Sequence, residues 1–585
     1  MSISNFVSIF QVGKEIPAEN TFQVIDQITK IKGTHTFKAG GEYRPQQSNN
    51  YVYPSFGSYT FTNRFSNYSY SDFLLGLPQT TSLTYARPSQ STRLWFLSGF
   101  IQDDWKVHQK LTLNYGLRYE FDRPPVDTHN TISNFDRAKG AMVVPNDTVL
   151  QESVNQFFPK TIPIVTAPQV DLPERPLRFG DKNNFQPRVG FAYRPFHNTK
   201  TVLRAGYGIF MDDLGGDLFG QLYGGPFRVT QTFTNSITAG KPLLTFTNPF
   251  LGPASLGSID MTGLDPHLRN PFIQQWNMTV EQALTRQIGL RVSYIGSRAT
   301  QLIYGRNINQ PPASAMAFTQ DRRPYPLYRN ITIRENGGTQ SYNALSTELN
   351  RRLAHGLEFQ AAWTWAKTIT DTDEVGITEG GPTLEDAYNR IRERADAQYS
   401  PRHRFVSNVI WQLPVGKGHA IMNRGGVADW VLGAWQLSLI YNAQTGEYFT
   451  PTFSGTDPSN TQTIGGIPDR VKNGNLPADE RTIDKWFDAS AFVAPPNGRF
   501  GNSGKNILIG PGRQALNLGL FKSFHPTEKT SFRVQATFTN ATNHPNFGGP
   551  NAGISAPASV GTVRSVQTRD SAGPRQGLLA AYFTF

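Results

Sequence analysis

The sequence contains no cysteine. Disulfides and thiolate metal sites are therefore excluded, while the periplasm and the cell surface stay open as locations. Long apolar runs are also missing. Hydrophobic residues make up 38% of the chain and the mean hydropathy is −0.42, and no stretch of about 18 apolar residues is present to cross a bilayer as a helix. Charge is sparse at 17%, and the net charge of +12 comes from single lysines and arginines scattered along the chain. Without a basic patch or helix, a nucleic-acid partner has no footprint, whereas an anionic lipid or solute fits. The opening stretch, MSISNFVSIFQVGKEIPAEN, lacks a basic region followed by an apolar core and a small-residue cleavage site. It predicts either a cytoplasmic chain or a longer precursor whose true N-terminus lies upstream.

What the chain has in quantity is aromatic residues (40 Phe, 22 Tyr and 9 Trp), with 53 Gly and 40 Pro. That mixture favours strands and turns. From Leu111 to Glu120, Leu111, Leu113, Tyr115, Leu117 and Tyr119 share one parity, and Thr112, Asn114, Gly116, Arg118 and Glu120 share the other. This is the period of two expected of a strand with two unlike faces. It recurs at 185–194, at 201–210, at 276–280 with 288–294, and at 345–349 with 357–365. The late pair is the cleanest: Leu516, Leu518 and Leu520, then Phe532, Val534, Ala536 and Phe538. The stretch from Arg404 to Leu413 has apolar residues on both parities and no evident facing.

A soluble sandwich also alternates, with its apolar side in a closed core. Here the polar parity is rich in Gly, Ser, Thr, Asn and Arg, and the apolar parity repeatedly ends in Trp or Tyr, as lipid-facing bands flanked by aromatic girdles do. Placing Arg or Lys at the bilayer midplane costs about 2–4 kcal/mol. Arg118, Arg188, Arg204, Arg291 and Arg533 are therefore expected to face a lumen, with Glu42, Glu120, Glu281 and Glu358 beside them. A register slip of one residue would carry Arg118 and Glu120 into lipid.

The connections have two sizes. Short ones lie at 106–110, 195–200, 284–287, 352–356 and 523–529, and long polar stretches at 121–184, 212–271, 298–340, 368–403 and 444–513. Short turns at one rim and long loops at the other are the pattern of an outer-membrane barrel, with the long loops outside. The connection 414–430 is an exception, because its place in the order predicts a short turn. The expectation is an all-β transmembrane barrel of about fourteen to sixteen strands of about ten residues each, occupying residues 1–585.

Several stretches resemble the barrel part of TonB-dependent receptors of the Oar-like, acidobacterial group. They are KGTHTFKAGGEYR (32–44), SDFLLGLP (71–78), GFIQDDWKV (99–107), LTLNYGLRYE (111–120), WFDASAFVAPPNGRFGNSGKN (486–506), FTNATNHPNFG (538–548) and the terminal LLAAYFTF. The resemblance implies a full protein with a signal peptide, a regulatory-like domain, a plug and a barrel of about twenty-two strands. Residues 1–44 read as barrel strands, so the resemblance implies a chain that starts inside the barrel, with signal peptide, regulatory-like domain and plug absent. It also implies Phe583 and Phe585 as a C-terminal assembly signal read by the barrel assembly machinery, and a TonB complex reached only through the missing plug.

Chemistry-bearing motifs are few. Asp103 and Asp104 form a carboxylate pair, expected to solvate the rim rather than to catalyse. The ten histidines include no zinc-binding spacing, and His403 between two arginines reads as a solvated rim. GRFGNSGKN fails the phosphate-loop spacing, with Asn506 where Ser or Thr is required. Asp371, Asp373 and Glu374 read as a hydrated loop tip. No cofactor, metal or catalytic residue is expected, and no enzyme. The reading is a receptor barrel of the bacterial outer membrane, in contact with outer-membrane lipid, that takes up a bulky ligand of unknown identity with TonB-coupled energy. The alternative is a structural or adhesive surface barrel without transport.

Overall fold

A computed structural model describes all residues except 10–14, 53–56, 87–88, 198, 215, 252–258, 373–381, 525–526 and 528. The chain is all-β, with a few short helices. The first half of its main sheet comprises β1 (Glu15–Thr21), β2 (Val24–Lys32), β3 (His35–Val52), β4 (Ser89–His108), β5 (Leu111–Asp122), β6 (Phe185–Tyr193), β7 (Thr201–Met211) and β8 (Phe272–Ala283). The second half comprises β9 (Ile288–Asn307), β10 (Tyr328–Ala354), β11 (Leu357–Thr370), β12 (His403–Gln412), β13 (Trp435–Gln444), β14 (Arg513–Phe524), β15 (Ser531–Thr539) and β16 (Gln576–Thr584).

Each strand pairs antiparallel with the next, from β3 to β16. Strands β1 and β2 lie end to end along β3. Closure into a barrel is not detected in this pairing. Among the described residues no register joins β16 to β1 or β2, and all of β2 and nearly all of β16 is exposed on both faces. Among the described residues the wall is an antiparallel ladder in which no strand is paired to the outer edges of β2 and β16. Several strands also far exceed the expected length: β10 has 27 residues, and β4 and β9 have 20 each. At about 3.4 Å per residue, their ends extend well past an apolar band of about 25 Å.

One parity runs unbroken across the ribbon. Tyr119 pairs with Phe185, Val189 with Tyr207, Tyr207 with Trp276, Met278 with Tyr294, Tyr294 with Leu345, and Leu345 with Trp365. Farther on, Val409 pairs with Leu439, Leu439 with Leu518, and Leu518 with Phe538. Paired residues share a face, so this chain of partners defines one apolar surface. No second sheet covers it: Ile101 is 64%, Val189 55% and Met278 51% exposed, which a sandwich core would not leave. The same pairing settles β12. Phe405, Val409 and Trp411 join the apolar face, and Val406 and Ile410 fall on the other.

Buried cores occur instead in the long connections, which are not the polar stretches expected of them. Ile132, Val143, Leu177, Leu218, Leu222, Leu264 and Leu268 form one core from two connections. Phe135, Met142, Phe158, Val229, Tyr328, Ile331 and Ile333 form a second, and Phe487, Ala491, Phe492 and Leu508 a third. Small sheets accompany them, one from Asn134–Asp136, Ala141–Val144 and Ile164–Thr166. Another pairs Ser2–Ile3 and Val7–Ser8 with strands from 58–61, 80–86 and 228–234. Residues 2–8 thus belong to this loop-end sheet, and the wall begins at Glu15. Within the family-like stretch 71–78, residues up to Leu74 close a short helix, Ser69–Leu74.

Met142, on the 121–184 connection, is fully buried in the second core, so Met142→Ala is expected to weaken this loop layer by about 2–5 kcal/mol. Limited proteolysis should then cut within 121–184 much faster, with the strand signal in circular dichroism unchanged. Equal cleavage of parent and variant would show that the connections have no cooperative core.

Candidate functional site

The residues opposite the apolar parity make a charged face. Gln186 and Arg118 are paired, as are Glu120 and Ser98, Arg188 and Gly208, Arg204 and Thr279, and Glu281 and Arg291. Arg118, Glu120, Arg188, Arg204, Arg291 and Arg533 all lie on it, and two groups form.

The first group is ion-paired. Arg118 Nε donates to Glu120 Oε1 at 2.5 Å and its Nη2 to Ser98 Oγ at 2.8 Å, and Gln186 Nε2 donates to Glu120 Oε2 at 2.6 Å. Arg291 links Glu281 at 3.4 Å to Glu348 at 3.0 Å, and Arg204 reaches Glu281 at 3.5 Å. These pairs are partly hydrated, so each contributes little to stability, about 0–1 kcal/mol.

The second group is stacked on aromatic rings that the alternation did not single out. Arg188 lies 4.5 Å over Phe210, Arg533 4.5 Å over Phe521, and Arg44 4.5 Å over Phe96. A nearby glycine accompanies two of them. A Cβ on Gly208 would stand 3.2 Å from the Phe210 ring, and one on Gly519 would stand 2.8 Å from the Phe521 ring. The phenylalanine folds back over the glycine two residues before it on the same face, and the guanidinium covers the ring. A Gly-x-Phe spacing on the polar parity, GIF at 208–210 and GLF at 519–521, is the sequence signal for this arrangement.

Both groups meet where β3–β5 and β7 approach the loop layer. A cavity of about 230 Å³ there is lined by Glu42, Arg44, Arg118, Glu120, Asp122 and Asp213 among others. Gln23 Nε2 donates to Glu42 Oε1 at 2.7 Å, and Arg44 lies 3.8 Å from Glu42 and 3.7 Å from Asp213. Asn270 donates its side-chain amide to Asp122 and its backbone N–H to Asp181 Oδ2 at 3.0 Å, which ties two long connections to the rim of the cavity. Burial pushes the Asp212 and Asp213 carboxyls above the usual range, and for Asp213 the neighbouring Asp212 adds to the effect while Arg44 opposes it. Five carboxylates, Glu42, Glu120, Asp122, Asp212 and Asp213, line this cavity with two guanidinium groups, Arg44 and Arg118. Among the described residues no three His, Asp or Glu side chains are grouped to hold a metal ion.

Other residues flagged in the sequence are placed differently from expectation. Asp103 and Asp104 do not solvate the rim. They point to opposite faces, Asp103 buried with His35 Nδ1 and the Tyr115 hydroxyl each at 2.7 Å, and Asp104 bound to Lys38 at 2.9 Å and Asn114 at 2.6 Å. Asp371 is buried and accepts the Thr339 N–H at 2.6 Å, so it is no hydrated tip; Asp373 and Glu374 lie outside the described residues. His403 is exposed and stacked on Trp363 at 5.8 Å. Asn506 is held by Thr450 in a folded loop.

A family model for the outer membrane beta barrel domain matches residues 1–577. The chain belongs to this family of outer-membrane β-barrel domains. No curated protein matches it. The barrel domain is similar in fold to the outer membrane transporter YddB from Escherichia coli, with a TM-score of 0.51 at 10% identity over 97% of this chain and 54% of that one. A ferripyoverdine receptor of the outer membrane of Pseudomonas aeruginosa gives a TM-score of 0.44 at 9% identity over 97% and 48%. The barrel domain thus spans about half the length of the solved proteins it matches.

Two predictions follow from this geometry. Gly519→Ala is expected to destabilise by about 1–3 kcal/mol through collision with Phe521, and by far less when combined with Phe521→Ala. Urea titration of the four proteins in detergent measures that coupling, and additive costs would disprove the stacking. For Asp213, a raised folded-state pKa means that its stabilisation is complete at low pH and is lost as pH rises through the raised value. Asp213→Asn should therefore melt higher than the parent near about pH 7 and equally near about pH 3; a less stable Asn variant at neutral pH would overturn the assignment.

Proposed function

We propose that the barrel domain is the wall of an Oar-like, TonB-dependent receptor, one that captures a bulky solute at its folded loop layer and passes it along the arginine-lined polar face. In this reading the apolar face meets outer-membrane lipid and the polar face is the lumen. The two outer edges are closed by further strands of a longer protein, which also carries the signal peptide, regulatory-like domain and plug through which TonB energy arrives. The family match, the span of about half of the solved transporters and the outer edges of β2 and β16, unpaired among the described residues, support it. Phe583 and Phe585 act as the signal for the assembly machinery, and the chain performs no catalysis.

The observation that carries the receptor role is the loop layer. Connections with their own buried cores present a preorganised surface, which reduces the ordering cost of binding. Uptake by the full-length protein in cells, with and without the segments 121–184 and 444–513, tests it. Capture and uptake that survive their deletion would reject the receptor role. Exposed Phe6, Tyr68, Leu74 and Leu75 at the loop end favour the second reading, an adhesive surface barrel. That reading gains if deletion abolishes surface attachment while solute uptake is absent from the parent.

The facing has its own test, because the chain is free of cysteine. In lipid vesicles, Arg533→Cys and Gln535→Cys are expected to react with a water-soluble maleimide and Val534→Cys and Ala536→Cys to resist it. Equal labelling of both parities would show that the apolar face is not in lipid.

A further inference from the structure

The connection 413–434 is far longer than the other links at its end of the sheet and contains a helix, Val427–Leu432. It is not the short turn that its position predicts. Its polar side is fastened to the wall. Asp429 Oδ1 accepts the Lys417 N–H at 2.8 Å, Trp435 Nε1 donates to the Val431 carbonyl at 3.0 Å, and the Lys522 ammonium donates to the Gly433 carbonyl. That ammonium also lies 5.3 Å over Trp435 and 5.0 Å over Phe524.

The other side is bare and apolar. Val427 is 79%, Trp430 66% and Val431 51% exposed. At positions i, i+3 and i+4 they form one helical face. That face continues the apolar surface of the wall: Trp430 stacks 4.8 Å from Phe524, and Phe524 6.0 Å from Phe532. Phe532 is paired with Phe583, whose ring lies 5.9 Å from Phe585. An aromatic belt thus runs along the sheet edge directly into the helix, as expected of a membrane interface.

The charge around it is mainly positive. By sequence the links at this end of the sheet carry seven lysines and arginines, among them Lys417, Arg424 and Lys529, against two acidic residues, Asp429 and Glu528, and Asp429 is bound within its own turn.

We propose that helix Val427–Leu432 is an interfacial anchor. Its Val427, Trp430 and Val431 face enters the headgroup boundary of the leaflet at the short-turn rim, and anionic phospholipid is its partner through Lys417 and Arg424. The proposal rests on the reading that the wall's apolar face meets lipid. It assigns to this connection a function separate from transport: fixing the height and tilt of the wall in the bilayer at the rim opposite the loop layer.

The test uses the full chain in nanodiscs of phosphatidylcholine, with and without phosphatidylglycerol, where both rims are open to solvent. V431C carries an environment-sensitive fluorophore, and A536C on the apolar face of β15 is the control. With phosphatidylglycerol, the label at 431 is expected to shift to the blue, to be quenched by headgroup-level nitroxide lipid, and to lose severalfold in quenching by aqueous iodide. Lys417→Glu with Arg424→Glu should reverse most of that protection and leave the label at 536 unaffected. Full iodide access at 431 with the label at 536 protected would overturn the anchor alone; access at both would overturn the membrane facing of the wall. Protection at 431 that ignores lipid composition and accompanies dimer formation would overturn it in favour of a contact between copies.

Discussion

Everything in this architecture depends on the rule that residues paired across an antiparallel ladder share a face. From Tyr119 across to Phe538 the apolar partners stay in phase through eleven successive strands. Because the side-chain period is two, a slip by one residue anywhere would carry every later side chain to the wrong face. Arg291 and Glu281 then would enter the apolar surface together, and the ion-paired belt would be replaced by isolated charges in hydrocarbon. In lipid every backbone group must also find a partner within the sheet. Register and closure are therefore one constraint, and among the described residues the outer edges of β2 and β16 are where no partner strand is paired.

That constraint separates the energetics into two regions. The wall buries little: its large apolar side chains remain exposed, and its stability rests on the ladder and on the solvent that the apolar face meets. The loop layer behaves like a soluble domain, with Leu177, Leu264 and Met142 packed away from water. It joins segments 188 residues apart in sequence, as in the bond from the Tyr328 hydroxyl to the Gly140 carbonyl. Such a layer holds its shape through its own buried cores. The extended ends of β9 and β10 carry it, because Tyr328, Ile331 and Ile333 lie on strand rather than loop and form part of its second core.

The wall was legible because alternation is a local signal. Leu111 to Glu120 declares both faces within ten residues, and the shared parity of the arginines, opposite the apolar one, follows from any one of their neighbours. The loop layer was not legible for the opposite reason. Its cores join residues that are far apart and have no period, such as Ile132 with Leu222, so 121–184 read as polar filler. Strand length misled in the same way: the first part of β10, YRNITIRENGGTQ, alternates poorly because its partners are loop segments as well as wall strands. Asp103 was misread because a carboxylate on the apolar parity has no meaning until His35 and Tyr115 are brought to it from two other strands. Closure cannot be seen locally at all, since it concerns the first and last strands.

The polar face shows how much chemistry sits below the resolution of binary patterning. A hydrophobic-or-polar alphabet records Phe210 and Phe521 as errors on the wet side of the sheet. In three dimensions each fills the space left by a glycine and offers its ring to a guanidinium, Arg188 or Arg533, that would otherwise be fully hydrated. The consequence is a difference in partners between two kinds of arginine on one surface. Arg118 and Arg291 are held by carboxylates at fixed distances, and their charge is largely neutralised. Arg188 and Arg533 lie over rings, and among the described residues no carboxylate is paired with them. Charge counting alone treats the five as equivalent, whereas their partners divide them into carboxylate-paired and ring-stacked cations.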